Sequence, residues 1–141
     1  MANLLIHCED VEFTLPNHSL VITWIENVVL SKNCAIEEIN FIFCSDDYLL
    51  SINQEYLHHD YYTDIITFDH SEEDTTLAAD IYISIDRVNE NAMTLKVSFL
   101  DELHRVMIHG VLHLLGLDDK SESEKTEMRK IEDHYLALRE F

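Results

Sequence analysis

Apolar residues recur four apart in the segment after Pro16. Leu20, Trp24 and Val28, with Val21, Ile25 and Val29 alongside, predict a helix ending near Asn33. A period of two marks other stretches. Asn3 to Cys8 reads as a short strand, and Glu38 to Cys44 alternates Ile39, Phe41 and Phe43 with Asn40 and Ile42. Ser45-Asp46-Asp47 then offers N-cap chemistry for a helix running through Leu49, Leu50 and Tyr56. Thr63 to Phe68 is β-branched and aromatic, and Ala79 to Ile85 alternates Ile81, Ile83 and Ile85, so both are predicted strands. The acidic HSEEDTT between them reads as a loop or hairpin connection. Asp86 to Lys96 reads as a helix. From Ser98 the run FLDELHRVMIHGVLHLL predicts a stronger one, with Phe99, Leu103, Val106, Met107, Gly110 and Leu114 on one side. Ser121-x-x-Glu124 is a capping box opening a last helix, on which Met128, Ile131, Tyr135 and Leu138 recur at helical spacing. Four strands and about five helices in this order predict a single α+β domain over residues 1–141, built on one four-stranded mixed sheet. By the same spacing Trp24, Met128 and Ile131 are expected in the core.

Composition narrows the picture. Nine basic against 28 acidic side chains give a net charge of −19. Such a field repels phosphate backbones, so non-specific nucleic-acid affinity is expected to be weak. Five of the nine basic residues (Lys120, Lys125, Arg129, Lys130 and Arg139) fall in the last 22 positions. Glu122, Glu124, Glu127, Glu132 and Asp133 lie among them, which reads as a mixed, solvated face. Three cysteines without a CxxC argue for a reducing compartment, with Cys34 and Cys44 as core thiols. The N-terminus lacks a basic region and a long apolar run. No apolar run approaches the roughly 18 residues a membrane span needs. A cytoplasmic protein without a membrane partner is expected.

The candidate chemistry lies in residues 109–119, HGVLHLLGLDD, which hold both glycines of the chain. His109 and His113 are four apart, so one helix face presents both imidazoles, a spacing that suits a shared metal ion. Gly116 stands where the helix would end at positive φ and let the chain double back. Asp118 and Asp119 are then available as a third ligand, and Asp119 has the better reach. Gly110 occupies the place of the zincin glutamate, which disfavours a peptidase mechanism of that kind. Its missing side chain suggests close approach of another backbone or a bare flank beside the metal. Three ligands leave a position open, the pattern of a catalytic zinc. Glu102 and Arg105 fall on roughly the same face, Glu102 in a supporting role. Asp64 and Asp80 read equally well as strand-end caps and as walls of a cleft above the metal.

The stretch resembles the HGxLHLxGxDH signature of the YbeY family of bacterial metal-dependent endoribonucleases. Glu102-Leu103 resembles the family's EL, and Met128-Arg129 with Glu132 its MRxxE. Asn53-x-x-Tyr56 with Thr63 to Phe68 is similar to its NxxYR…TDVLSF, and Ala79 to Ser84 to its GDIxIS. The resemblance implies a single-strand-specific endoribonuclease of 16S rRNA 3′-end maturation, ribosome biogenesis and quality control. A water activated on the ion would attack the phosphodiester. It implies one zinc per chain, another divalent metal being admissible, and ribosomal RNA with the ribosome or small-subunit proteins as partners, not DNA. The ligands carry over to His109, His113 and the position of the third histidine, which is Asp119 here. Leu57 stands where the family has arginine. Arg105, His58 and His59 are the residues left to aid catalysis, without an identified general base. Gly110, Gly116, Glu102 and Asp118 would support the site. Two alternatives remain: an assembly factor with a structural metal, favoured by Leu57, and a metallopeptidase, opposed by Gly110.

Overall fold

A computed structural model describes residues 3–141. In chain order it contains β1 (Leu4–Cys8), α1 (His18–Ser31), β2 (Ala35–Cys44), α2 (Asp46–Leu57), β3 (Ile65–Asp69), β4 (Thr76–Ser84), α3 (Ile85–Leu95), α4 (Phe99–Leu114) and α5 (Glu122–Ala137). Serines begin four of the five helices. Ser45, Ser84, Ser98 and Ser121 each accept a hydrogen bond from a backbone N–H in the first turn, satisfying one orphan donor. The capping box at Ser121 and Glu124 closes in both directions. With so few glycines, the left-handed residues after α1, α2 and α3 are Asn33, His58 and Lys96.

Strand boundaries differ from the sequence pattern: β2 begins at Ala35 and not Glu38, and β3 spans Ile65–Asp69 and not Thr63–Phe68. Ile85 continues the alternation of Ile81 and Ile83, yet it is the first residue of α3, because Ser84 caps that helix by accepting from the Arg87 N–H. The expected strand Ala79–Ile85 is thus shifted to Thr76–Ser84.

The sheet order is β1-β2-β4-β3; β1, β2 and β4 are parallel and β3 is antiparallel to β4. The acidic connection is a β3–β4 hairpin loop, as its composition predicted. Among the described residues the fold is α+β with five helices and one four-stranded mixed sheet. Alternation splits the sheet between two faces. Ile39, Phe41, Phe43, Leu77, Ala79, Ile81 and Ile83 belong to the main core with side chains of α1, α3, α4 and α5. Cys44 and Ile66 join Leu49 and Ile52 of α2 in a smaller cluster. Trp24 and Met128 are buried, and Trp24 Nε1 donates to the Tyr135 carbonyl at 2.9 Å. Helix α4 runs through the main core, with Leu103, Met107, Ile108, Val111 and Leu112 fully buried. Its histidines are therefore carried on a rigid element. No helix among the described residues is long and apolar enough to cross a membrane.

Candidate metal centre and its cleft

Helix α4 places His109 and His113 one turn apart with ring centroids 4.5 Å apart. The helix then stops at a Schellman motif. Gly116 N–H donates to the His113 carbonyl and Leu117 N–H to the Leu112 carbonyl, with Gly116 at φ +98°. That reversal returns the chain toward α4 and brings Asp119 to the two imidazoles. His109 Nε2 lies 3.0 Å from His113 Nε2 and 3.3 Å from Asp119 Oδ2, and His113 Nε2 lies 3.4 Å from Asp119 Oδ1. Tetrahedral bonds of about 2.0–2.2 Å separate neighbouring ligand atoms by about 3.3–3.6 Å. The donor set of two nitrogens and one carboxylate can therefore hold a metal ion with small adjustments. Asp118, by contrast, is exposed.

The tautomer of His109 is set by a residue from another helix. His109 Nδ1 is 2.6 Å from Glu132 Oε2 on α5, and against a carboxylate that nitrogen must be the donor. Nε2 is then left as a lone pair facing His113 and Asp119, the state a metal ligand requires. Burial disfavours the charged ring of His109. The hydrogen bond and charge of Glu132, with the charges of Asp119 and Asp64, outweigh it and raise the pKa above the usual histidine value. Glu132 is itself buried and is held by Arg105 Nη1 at 3.1 Å.

Arg105 also meets Asp133 at 2.7 Å and Glu102 at 3.7 Å. Its guanidinium is thus committed to carboxylates, which makes it a support of the site. Glu102 is buried, with Oε1 lacking a hydrogen-bond partner among the described residues; burial raises its pKa against the opposing pull of Arg105.

These groups line a cleft of about 260 Å³. Asp64, Ile65, Val106, His109 and Asp119 line it together with Lys125, Met128, Arg129 and Glu132 of α5. Asp64 is a cleft wall. Its pKa is raised by burial, offset in part by His109, and Asn91 Nδ2 donates to it at 3.2 Å. Asp80 is elsewhere, accepting from Asn40 at 3.0 Å and lying 3.2 Å from His70. His58 and His59 are exposed after α2 and do not line the cleft; His59 stacks on Tyr61 instead.

Gly110 corrects an expectation. A Cβ there would lie 2.8 Å from Ile65 Cδ1 and 3.3 Å from Ile81 Cγ2. The glycine lets α4 approach side chains of β3 and β4, and it does not leave a bare flank for substrate. The solvated mixed face expected of α5 is corrected at Glu132, which is buried, while Lys125 and Arg129 are exposed as expected and also line the cleft. Glu132 is the site residue whose role sequence reasoning missed. Its only early signal was its place in the MRxxE-like run.

Comparison with known proteins gives the family and supports the fold. A family profile described as Endoribonuclease YbeY matches residues 6–139. An Endoribonuclease YbeY from Amoebophilus asiaticus is 48% identical over 96% of this chain and 92% of its own length. One from Cytophaga hutchinsonii is 49% identical over 94% and 93%, and one from Karelsulcia muelleri 52% over 90% and 89%. Among solved structures, the solution structure of TM1509 from Thermotoga maritima superposes with a TM-score of 0.67 at 29% identity, covering 94% of this chain and 86% of that one. With near full-length matches on both sides, the chain belongs to the YbeY endoribonuclease family.

Proposed function

We propose that this protein is a metal-dependent, single-strand-specific endoribonuclease acting in 3′-end maturation of 16S ribosomal RNA, with His109, His113 and Asp119 as ligands of one zinc ion. The observation that carries the reading is the convergence of these three side chains, of which His109 and Asp119 line the cleft, in a chain whose relatives are named endoribonucleases. A bound divalent ion supplies Lewis acidity toward a phosphoryl oxygen and lowers the pKa of water. Its protein surroundings do the rest. Glu132 fixes the His109 ring by accepting from Nδ1, and Arg105 holds Glu132 in turn. Asp64, on the cleft wall with its pKa raised by burial, is placed to exchange a proton with a group in the cleft. Ile65, Val106 and Met128 supply the apolar lining that limits water.

The test uses metal-replete protein and a His109→Ala control, each incubated with single-stranded ribosomal RNA and with casein. Cleavage of RNA that the control lacks is the expected outcome. Intact RNA with both proteins contradicts it, and casein cleavage alone would make the protein a peptidase.

A further inference from the structure

On the endoribonuclease reading above, we propose that Lys125 and Arg129, one turn apart on α5, form a phosphate-binding edge that holds the backbone of the RNA strand beside the metal centre. Three of the nine basic residues of this acidic chain line this cleft. They are not equivalent. Arg105 has an 18% exposed side chain and meets three carboxylates, so it has little left for a ligand. Lys125 and Arg129 are 57% and 52% exposed. The nearest carboxylate to Lys125 is the Glu122 side chain at 3.7 Å, itself 95% exposed, and Arg129 is 4.0 Å from Glu132. The solvated Lys125–Glu122 pair contributes about 0–1 kcal/mol and exchanges readily for a phosphate. The Arg129 contact to the buried Glu132, at 4.0 Å, is longer than a hydrogen bond and leaves donors of the exposed guanidinium available.

The remaining basic residues do not line the cleft. Arg87 is bound to Asp46 at 2.7 Å, and Arg139 to Asp101 at 3.1 Å and His104 at 2.8 Å. The carboxylates facing the same space are largely compensated. Glu132 lies between Arg105 and His109, and Asp119 faces both imidazoles. Burial holds Asp64 and Glu102 toward their neutral forms. On a surface that otherwise repels a polyanion, the edge carrying Lys125 and Arg129 is where the backbone is admitted. Spacing of i, i+4 lets the two cations grip one phosphate from two sides or two successive phosphates.

The experiment measures binding of a single-stranded RNA oligonucleotide across a series of salt concentrations, with cleavage kinetics and zinc content alongside. Each phosphate contact on a single strand adds about 0.7 to the slope of log affinity against log salt. Lys125→Gln/Arg129→Gln is expected to lower that slope by up to about 1.4 and to raise KM more than it lowers kcat, with zinc content unchanged. The swap Lys125→Arg/Arg129→Lys is expected to restore the slope. Lys32→Gln/Lys130→Gln makes the same charge change away from the cleft and serves as the control. If the cleft pair lowers the slope no more than this control, the proposal is overturned. If the unaltered protein neither binds nor cleaves RNA, the endoribonuclease reading fails first and takes this one with it.

Discussion

Two histidines five residues apart on α4 show how one helix serves a core and a site. His104 is 3% exposed, its ring edge-on to Trp24 and Phe141 at 5.9 and 5.2 Å. Its Nδ1 accepts from Arg139 at 2.8 Å, and Nε2 is buried without a partner among the described residues. Burial, with the positive charge of Arg139, pushes its pKa down to about 4. His109 is also largely enclosed, yet it meets Glu132, Asp119 and Asp64, and its pKa moves up. Burial disfavours the charged ring in both cases. The sign of the neighbouring charge decides the outcome: a guanidinium keeps His104 a neutral acceptor, and carboxylates make His109 a basic donor. Only the second arrangement leaves an activated Nε2 for a ligand.

The largest expected effect lies on the core side. Above pH 6.5 His104 is neutral in both folded and unfolded chains. As pH falls from about 6.5 toward 4, the unfolded chain takes up a proton that the fold excludes. Stability linked to this group is therefore complete above pH 6.5 and lost toward pH 4, to a total of about 3 kcal/mol. Urea unfolding at pH 7 and pH 4.5 is expected to show a smaller acid loss for His104→Leu than for the parent. Equal losses would mean that His104 is not held neutral by the core.

On the site side, Glu132→Gln keeps an acceptor for His109 but removes its charge. Metal affinity is expected to fall about 10–100-fold, the usual effect of losing a partner that orients a ligand. Competition with a zinc chelator reads this directly, and unchanged affinity would break the contrast between the two histidines. The smallest effect is expected at Gly110→Ala. Crowding costs about 1–3 kcal/mol and improved helix propensity returns about 1 kcal/mol, leaving a net loss of about 0–2 kcal/mol. Ile65→Val removes the Cδ1 atom in the way, so the double variant should recover part of the loss in thermal unfolding. A loss of metal without a loss of stability would return Gly110 to the role of a bare metal flank.

What the sequence revealed and what it hid divide along the same helix. The His109, His113 pair, the Gly116 stop and the return of Asp119 are local, fixed by spacing and backbone conformation within eleven residues. The capping box at Ser121 and the apolar stripe of α4 were legible for the same reason. Glu132 was not, because it reaches His109 across 23 positions and sits in a run of charges that reads as solvent-facing. Gly110 was misread because its partners, Ile65 and Ile81, come from two strands that pair only in the folded sheet. Ile85 was misplaced when a serine cap overrode strand alternation. Tertiary packing decides each of these, and periodicity does not carry it.

The claim that His109, His113 and Asp119 form one metal site is tested most directly by elemental analysis of the purified protein beside its Asp119→Ala and Asp118→Ala variants. About one zinc per chain in the parent, retained by Asp118→Ala and lost by Asp119→Ala, is the predicted result, following from the three-ligand geometry. Full metal in Asp119→Ala with loss in Asp118→Ala would contradict it.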